Sequence, residues 1–388
     1  MISKTSILFV FVTTVRTSRG LWRHQISQIR YRNVHQRRSS QSTESATPVL
    51  RHEEMVISFA EWQLKAEAHK TIIENLLYPP HTSPVNLPAD KKLRRRSHLV
   101  SEHPIYSFLH NYYQYSVCKL KYYSPGVGAV LEGAKPALHG KELDLKYMSY
   151  SDLGGEYDQN KVVTYIKSRN FGWDRIIKAR NILKAAFRKP AFFGCFGMHE
   201  WAMLYSGNGT TVKGHQHHLP MRVDQNTIDT VVGAPGQMRC THFDAYRFFQ
   251  PGAKPLNAVS QLTRETQVRY EQPGCIHANM DLFKYAYMAY PAVSSELLVQ
   301  ALELALEARK VDMRASPYDV SSFAGCEIPI CVETVAGRKL YVEEQERVAR
   351  LAVPVRRRLL DVYDRLIEHD SSINSNCENA LNNSIYEK

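Results

Sequence analysis

The chain has 388 residues, 44% hydrophobic, 10% aromatic and 23% charged. That balance can bury a sizeable core and excludes a wholly disordered chain, a collagen-like fibre and a polytopic membrane protein. The formal charge of +12 is uneven, because residues 1–43 hold eight Lys and Arg and no acid, which leaves four net positive charges for everything else.

Those first 43 residues, rich in Arg and Ser and seeded with Leu21, Trp22, Ile26 and Ile29, read as a mitochondrial transit peptide. A plastid leader is the near alternative, and a secretory signal would rest on the short apolar run at 7–12 after Lys4. One domain is expected from about residue 50 to 368. Residues 369–388, polar and Asn-rich, read as a disordered tail. No stretch reaches the roughly 20 apolar residues a membrane helix needs. Seven scattered Cys predict reduced thiols or metal ligands rather than a disulfide scaffold.

In chain order, Met55, Phe59, Trp62, Ala66, His69, Ile73 and Leu76 recur at steps of three and four and predict a helix over 55–77. The prolines and the basic run Lys91, Lys92, Arg94, Arg95, Arg96 make 78–97 a loop. A short, tyrosine-rich helix is predicted within 103–123, and another over 174–188, ended by Pro190. Short apolar runs at 191–196, 201–205, 219–223, 228–232 and 238–242, separated by Gly, Asn and Asp, then read as strands. His215, His217 and His218 fall in a polar loop. Helices return at 277–290 and 295–310. A late hairpin is expected at 328–342, turning at Ala336-Gly337, and a helix over 341–367 is expected to kink at Pro354. The block order predicts an α+β fold, with a mostly antiparallel central sheet flanked by N- and C-terminal helices.

Cys240-Thr-His242 and Cys275-Ile-His277 each put a thiol and an imidazole two residues apart, on one side of an extended backbone. Together Cys240, His242, Cys275 and His277 could form a shell for zinc or iron. Small buried cysteines beside hydrogen-bonded histidines are the plainer alternative. His199-Glu200 is not a zincin motif, since position 203 is Met. Glu200 between Met198 and Trp201 would be desolvated and suited to general-acid work, though outward alternation on a strand explains it equally well. Asp244 shares a face with His242 at strand spacing, as a carboxylate orienting an imidazole would. Asn279 and Asp281 follow a Pro-Gly turn that could present them at a pocket rim. Asp312 and Arg314 make either a local ion pair or an anion anchor. His199, Cys240, His242, Asp244, Cys275 and His277 are expected to converge on one pocket, because polar groups set among Trp201, Met203, Phe243, Phe248 and Phe249 need partners.

The blocks 199–203, 239–249, 271–281 and 312–319 resemble an actinobacterial family labelled 3-methyladenine DNA glycosylase, and the likeness runs from about Trp62 to the expected hairpin. The resemblance implies hydrolysis of the N-glycosidic bond of alkylated purines in DNA, with no cofactor required. A glycosylase needs a carboxylate, aromatics to stack an extruded base and a basic face for phosphates. Asp244 or Glu200 would then be the base or electrostatic stabiliser, with His199, His242 and His277 beside them. Tyr112, Tyr113, Tyr246, Arg247, Asn279, Asp281, Asp312 and Arg314 would bind substrate. A helix-hairpin-helix version is disfavoured, because 129–133 after the glycines of 124–128 reads as a strand end. Two further readings stand open: a metal-dependent enzyme acting on a small molecule through the Cys/His/Asp pocket, and a non-catalytic mitochondrial interaction protein.

Overall fold

The apolar stripes become helices in the computed structural model, which describes residues 55–77, 103–127, 129–132, 161–163, 172–212 and 219–368. The longer helices are α1 (Phe59–Leu77), α2 (Tyr106–Tyr113), α4 (Trp173–Arg188), α6 (Gln225–Gly233), α9 (Ile276–Met288), α10 (Ser295–Arg314) and α11 (Val335–Glu368). Shorter turns of helix lie between them: α3 (Val117–Lys121), α5 (Met198–Ala202), α7 (Phe243–Tyr246) and α8 (Gln267–Tyr270). None of the described helices is long and apolar enough to cross a membrane.

α9 is the centre of the core. It packs on α10 and α11, and α11 in turn covers α4. Ile276 through Phe283 are all buried, so the first two turns of this helix have no solvent face and would normally be apolar all round. It nevertheless carries His277, Asn279 and Asp281, and those polar groups set the site. α10 starts at Ser294, whose hydroxyl accepts from the Leu297 N–H. Its small residues Ala301, Ala305 and Ala308 are fully buried and let the neighbouring backbone approach.

The expected central antiparallel sheet is absent among the described residues, and the α+β assignment is corrected to a helical body with a small sheet at its edge. That sheet, β1 (Met55–Ile57), β2 (Ala129–Glu132) and β3 (Lys161–Val163), pairs β1 parallel to β2 and β2 antiparallel to β3. It has its own apolar cluster, in which Ile57, Ala129 and Leu131 pack with Trp62, Ala66 and Tyr123. The run at 201–205 lies at the end of α5, and that at 228–232 inside α6; those at 191–196, 219–223 and 238–242 are irregular backbone, with one isolated bridge, Met221 to Tyr318. α6 forms because Asp224 caps it, accepting from the Thr227 N–H at 2.7 Å. Ile228, Val231 and Val232 then fall on one buried face.

The late hairpin is also corrected. α11 starts at Val335 and continues through Pro354 to Glu368. Gly337 is no turn residue. A Cβ there would lie 1.9 Å from the Cys331 carbonyl oxygen, so only glycine lets the first turn of α11 seat on the preceding segment. The leader, the basic run at 91–96, His215, His217, His218 and the tail lie outside the described residues.

Candidate functional site

α5 begins after Gly197, which has φ 66° and sits against Tyr341 and Ala315, leaving no room for a Cβ. This tight start aims His199 and Glu200 inward, where both are buried. His277 comes from the first turn of α9, Arg309 and Asp312 from the last turns of α10, and His242 from the residue before α7. The His199 and His277 rings meet edge to face at 4.2 Å, and the His277 and His242 rings stack at 5.4 Å. Three segments distant in the chain therefore place their imidazoles in one row.

At one end of the row, ligand atoms of His199, His277 and Asp312 lie within 4.8 Å of one another. Arg309, fully buried, donates from Nη1 to Glu200 at 2.9 Å and also to Asp312 Oδ2, while its guanidinium lies 3.6 Å over the Phe108 ring. Asp312 Oδ1 and His199 Nε2 are 3.2 Å apart. Each is the other's nearest charged partner, a buried ion pair that makes no further hydrogen bond at these two atoms. Burial alone would lower the His199 pKa, but Asp312 and Glu200 beside it raise it to about 9. Burial would raise Glu200 and Asp312. Arg309 and His199 outweigh that and hold both below the usual carboxylate range. His277 is held well below the ordinary histidine value, first by burial and then by His199, and so stays a neutral donor.

At the other end, Glu271 accepts from His242 Nδ1 at 2.9 Å and from Gln267 Nε2 at 3.2 Å. That leaves His242 Nε2 buried without a hydrogen bond, 3.8 Å from Asp281. Asp281 accepts from the Tyr113 hydroxyl and from Lys284, which also reaches Asp244 at 3.0 Å. Between the ends lies a cavity of about 20 Å³ whose lining includes Cys195, Cys240, Cys275, His199 and His277. It has room for about one water or ion.

The six residues expected to converge divide by distance from this row. His199, His242 and His277 make it, Cys240 and Cys275 line its cavity, and Asp244, held by Lys284, has a carboxylate oxygen within 4.8 Å of ligand atoms of His242 and Asp281. The four-residue Cys2His2 shell does not form as a group. Cys275 clusters with His242 and Glu271, His277 with His199 and Asp312, and Cys240 joins no cluster among the described residues. Burial pushes the Cys240 thiol up to about 12, and it donates weakly to the His242 carbonyl. Glu200 is not an outward strand residue; Arg309 occupies it. Tyr112 and Tyr113 are half-buried, Tyr112 stacked on Phe108 and Tyr113 bonded to Asp281 and edge-on to Phe283, so their ring faces are already occupied. Tyr246 packs on Phe249, and Arg247 pairs with Asp244 at 3.2 Å. Asn279 turns away from Asp281, toward Arg356. Arg314 pairs with Glu344 and not with Asp312.

Arg309 is the member that sequence reasoning missed as a site residue, and Glu271, expected at a pocket rim, is instead the buried partner of His242. Arg309 was readable: it falls on the apolar face of Leu302, Ala305 and Ala308, where an arginine needs a buried anion. Comparison with protein families, with curated proteins and with solved structures returns no match to this chain.

Proposed function

We propose that the chain is a metal-dependent enzyme acting on a small molecule, with His199, His277 and Asp312 holding a divalent first-row cation such as zinc or iron. One observation carries the reading: the buried His199 Nε2 and Asp312 Oδ1 face each other at 3.2 Å, and their ligand atoms lie with one of His277 within 4.8 Å of one another, a spacing a cation could bridge. Two imidazoles and a carboxylate within ligand distance of one another are a donor set that a cation accepts. Two imidazoles and one carboxylate leave coordination positions open, and a bound ion would supply Lewis acidity or a lowered pKa for bound water. The adjoining cavity admits only a water-sized ligand. Arg309 offsets the charge of Glu200 and Asp312. Glu271 fixes the His242 tautomer, leaving Nε2 to exchange a proton with a ligand.

Elemental analysis of the full chain purified without chelator tests this, with an expected content of about one zinc or iron per chain, as such a site binds. His277→Ala and Asp312→Ala should each lose most of it. A metal-free chain that takes up neither zinc nor iron on dialysis, or Asp312→Ala retaining its metal, would refute the reading.

The glycosylase reading is the second, and a different observation favours it. Asp244 lies under the cations Arg247, Arg264 and Lys284, and Arg264 packs 5.6 Å from the Phe243 ring, a basic and aromatic rim of the kind that meets a phosphate backbone. It is the weaker of the two, because Asp244 is engaged by that rim and Glu200 by Arg309. Release of alkylated bases from DNA by the wild type, lost in Asp244→Asn, would support it; no release would remove it.

A further inference from the structure

The opposite face of α9 serves a second place. Successive residues on a helix turn by about 100°, so His277 and Asp281 share a face while Asn279 points away from both. There its Oδ1 accepts from Arg356 Nη2. Arg356, on α11, is 1% exposed, and Asn279 is the only hydrogen-bond partner it has among the described residues. Among the described residues no carboxylate forms an ion pair with it, Glu271 acting on it only at longer range, so most of its five N–H groups have no acceptor there. Burial lowers its pKa to about 10. A buried guanidinium without an anion is costly, because the charge has lost its hydration and received nothing equivalent.

Arg356 lines a groove of about 500 Å³, within the size range of small-molecule sites. The walls are apolar. Phe187, Phe193, Pro273, Ala349 and Val353 supply the apolar lining. Phe187 and Val353 are 39% and 43% exposed, so the groove opens on the surface. Its other charged groups are occupied. Lys189 donates to the carbonyls of Val268, Arg269 and Glu271, and Glu346 faces Arg350 at 3.6 Å on the exposed rim. One planar cation therefore waits at the end of an apolar trough.

We infer that this groove binds an amphipathic monocarboxylate, its head on the Arg356 guanidinium and its hydrocarbon body against Phe187, Phe193 and Val353. A carboxylate suits the site because a guanidinium presents paired donors at carboxylate spacing. The groove shares no lining residue with the cavity beside His277, so the inference stands apart from the metal reading.

Calorimetric titration of the full chain with decanoate, 1-decanol and decyl phosphate tests it. Decanoate should bind saturably below its micellar concentration, at least about tenfold tighter than decanol, as a charge-assisted bidentate contact would give. Arg356→Gln should erase the difference between acid and alcohol. Because that variant removes a buried residue and can fail to fold, Val353→Trp is the companion: the position is exposed, and the indole should fill the groove and weaken decanoate at least about tenfold with no change in Tm of the unliganded chain. Equal affinity for decanoate and decanol, undiminished decanoate binding by Val353→Trp, or no saturable binding would overturn the site. Tighter binding of decyl phosphate than of decanoate would overturn the carboxylate assignment.

Discussion

Arg309 shows how a single residue holds the site's charge balance. Its guanidinium is fully buried between Glu200 and Asp312, so removing it strands two carboxylates in the core. Breaking a buried pair from one side costs about 3–5 kcal/mol, far above the 0–1 kcal/mol of an exposed pair. Arg309→Met should therefore lower unfolding free energy in urea by about 3–5 kcal/mol, whereas Arg350→Met, which loses only the exposed contact to Glu346, should change it by less than about 1 kcal/mol. Similar losses in the two would mean the buried network carries no weight. At this scale the histidines were legible. His199, His242 and His277 each sat beside Cys, Glu or Asp inside apolar blocks, and the structure brings their rings into contact. Which acid serves which histidine was not legible, since Glu271 and Asp312 reach theirs across 29 and 113 positions.

Among the elements, α6 and α11 are where local chemistry overruled the apparent pattern. The β-branched run at 228–232 suggested a strand, yet the cap at Asp224 and the three-four spacing of Ile228, Val231 and Val232 fix a helix. Within α6, Asp229 accepts from the Ser206 amide and hydroxyl, the Gly209 amide and Gln225. Burial alone would raise its pKa, but these bonds to Ser206 and its neighbours lower it to about 2. A carboxyl depressed in the folded state stabilises fully above its unfolded value near 4 and loses that contribution as pH falls toward 2. Asp229→Asn should thus destabilise by about 1 kcal/mol at pH 7, a discounted figure for a partly solvated group. The gap from wild type should shrink below pH 4 in denaturation curves taken across that range. A gap independent of pH would contradict the assignment.

In α11 two residues act in opposite senses. Gly337→Ala should gain about 1 kcal/mol of helix propensity and lose more to the clash with the Cys331 carbonyl, for a net loss of about 2 kcal/mol. Pro354 lies inside the helix and is exposed. Replacing it by Ala restores an N–H, and the gain of about 3 kcal/mol exceeds the extra unfolded-chain entropy of up to about 1 kcal/mol. Thermal unfolding should place Gly337→Ala below and Pro354→Ala above the wild type. The opposite order would remove this account of the helix. The Ala-Gly pair had read as a turn because glycine marks both turns and close approaches, and only the packing tells them apart.

For the whole molecule, the helices at both ends were legible from their three-four stripes, while the middle was not. Outside α5 and α6, the described residues of 191–242 are irregular backbone, and the stretch carries His199 and His242 to the two sides of the His277 contact. Such segments share their composition with strands and differ only in where their backbone bonds go. The consequence is a polar row sealed in an apolar body, and the claim that this row is a metal centre predicts that a cation stabilises the fold. Zinc or iron at a thousand times its dissociation constant should add about 4 kcal/mol to wild-type unfolding and nothing to Asp312→Ala. The most direct measurement is an anomalous-difference map from a crystal of the metal-loaded chain, collected at the metal's absorption edge. The account predicts one peak about 2.0–2.2 Å from His199 Nε2, a His277 ring nitrogen and Asp312 Oδ1. A map with no peak among these three side chains, or with its peak on Cys240 and Cys275, would contradict it.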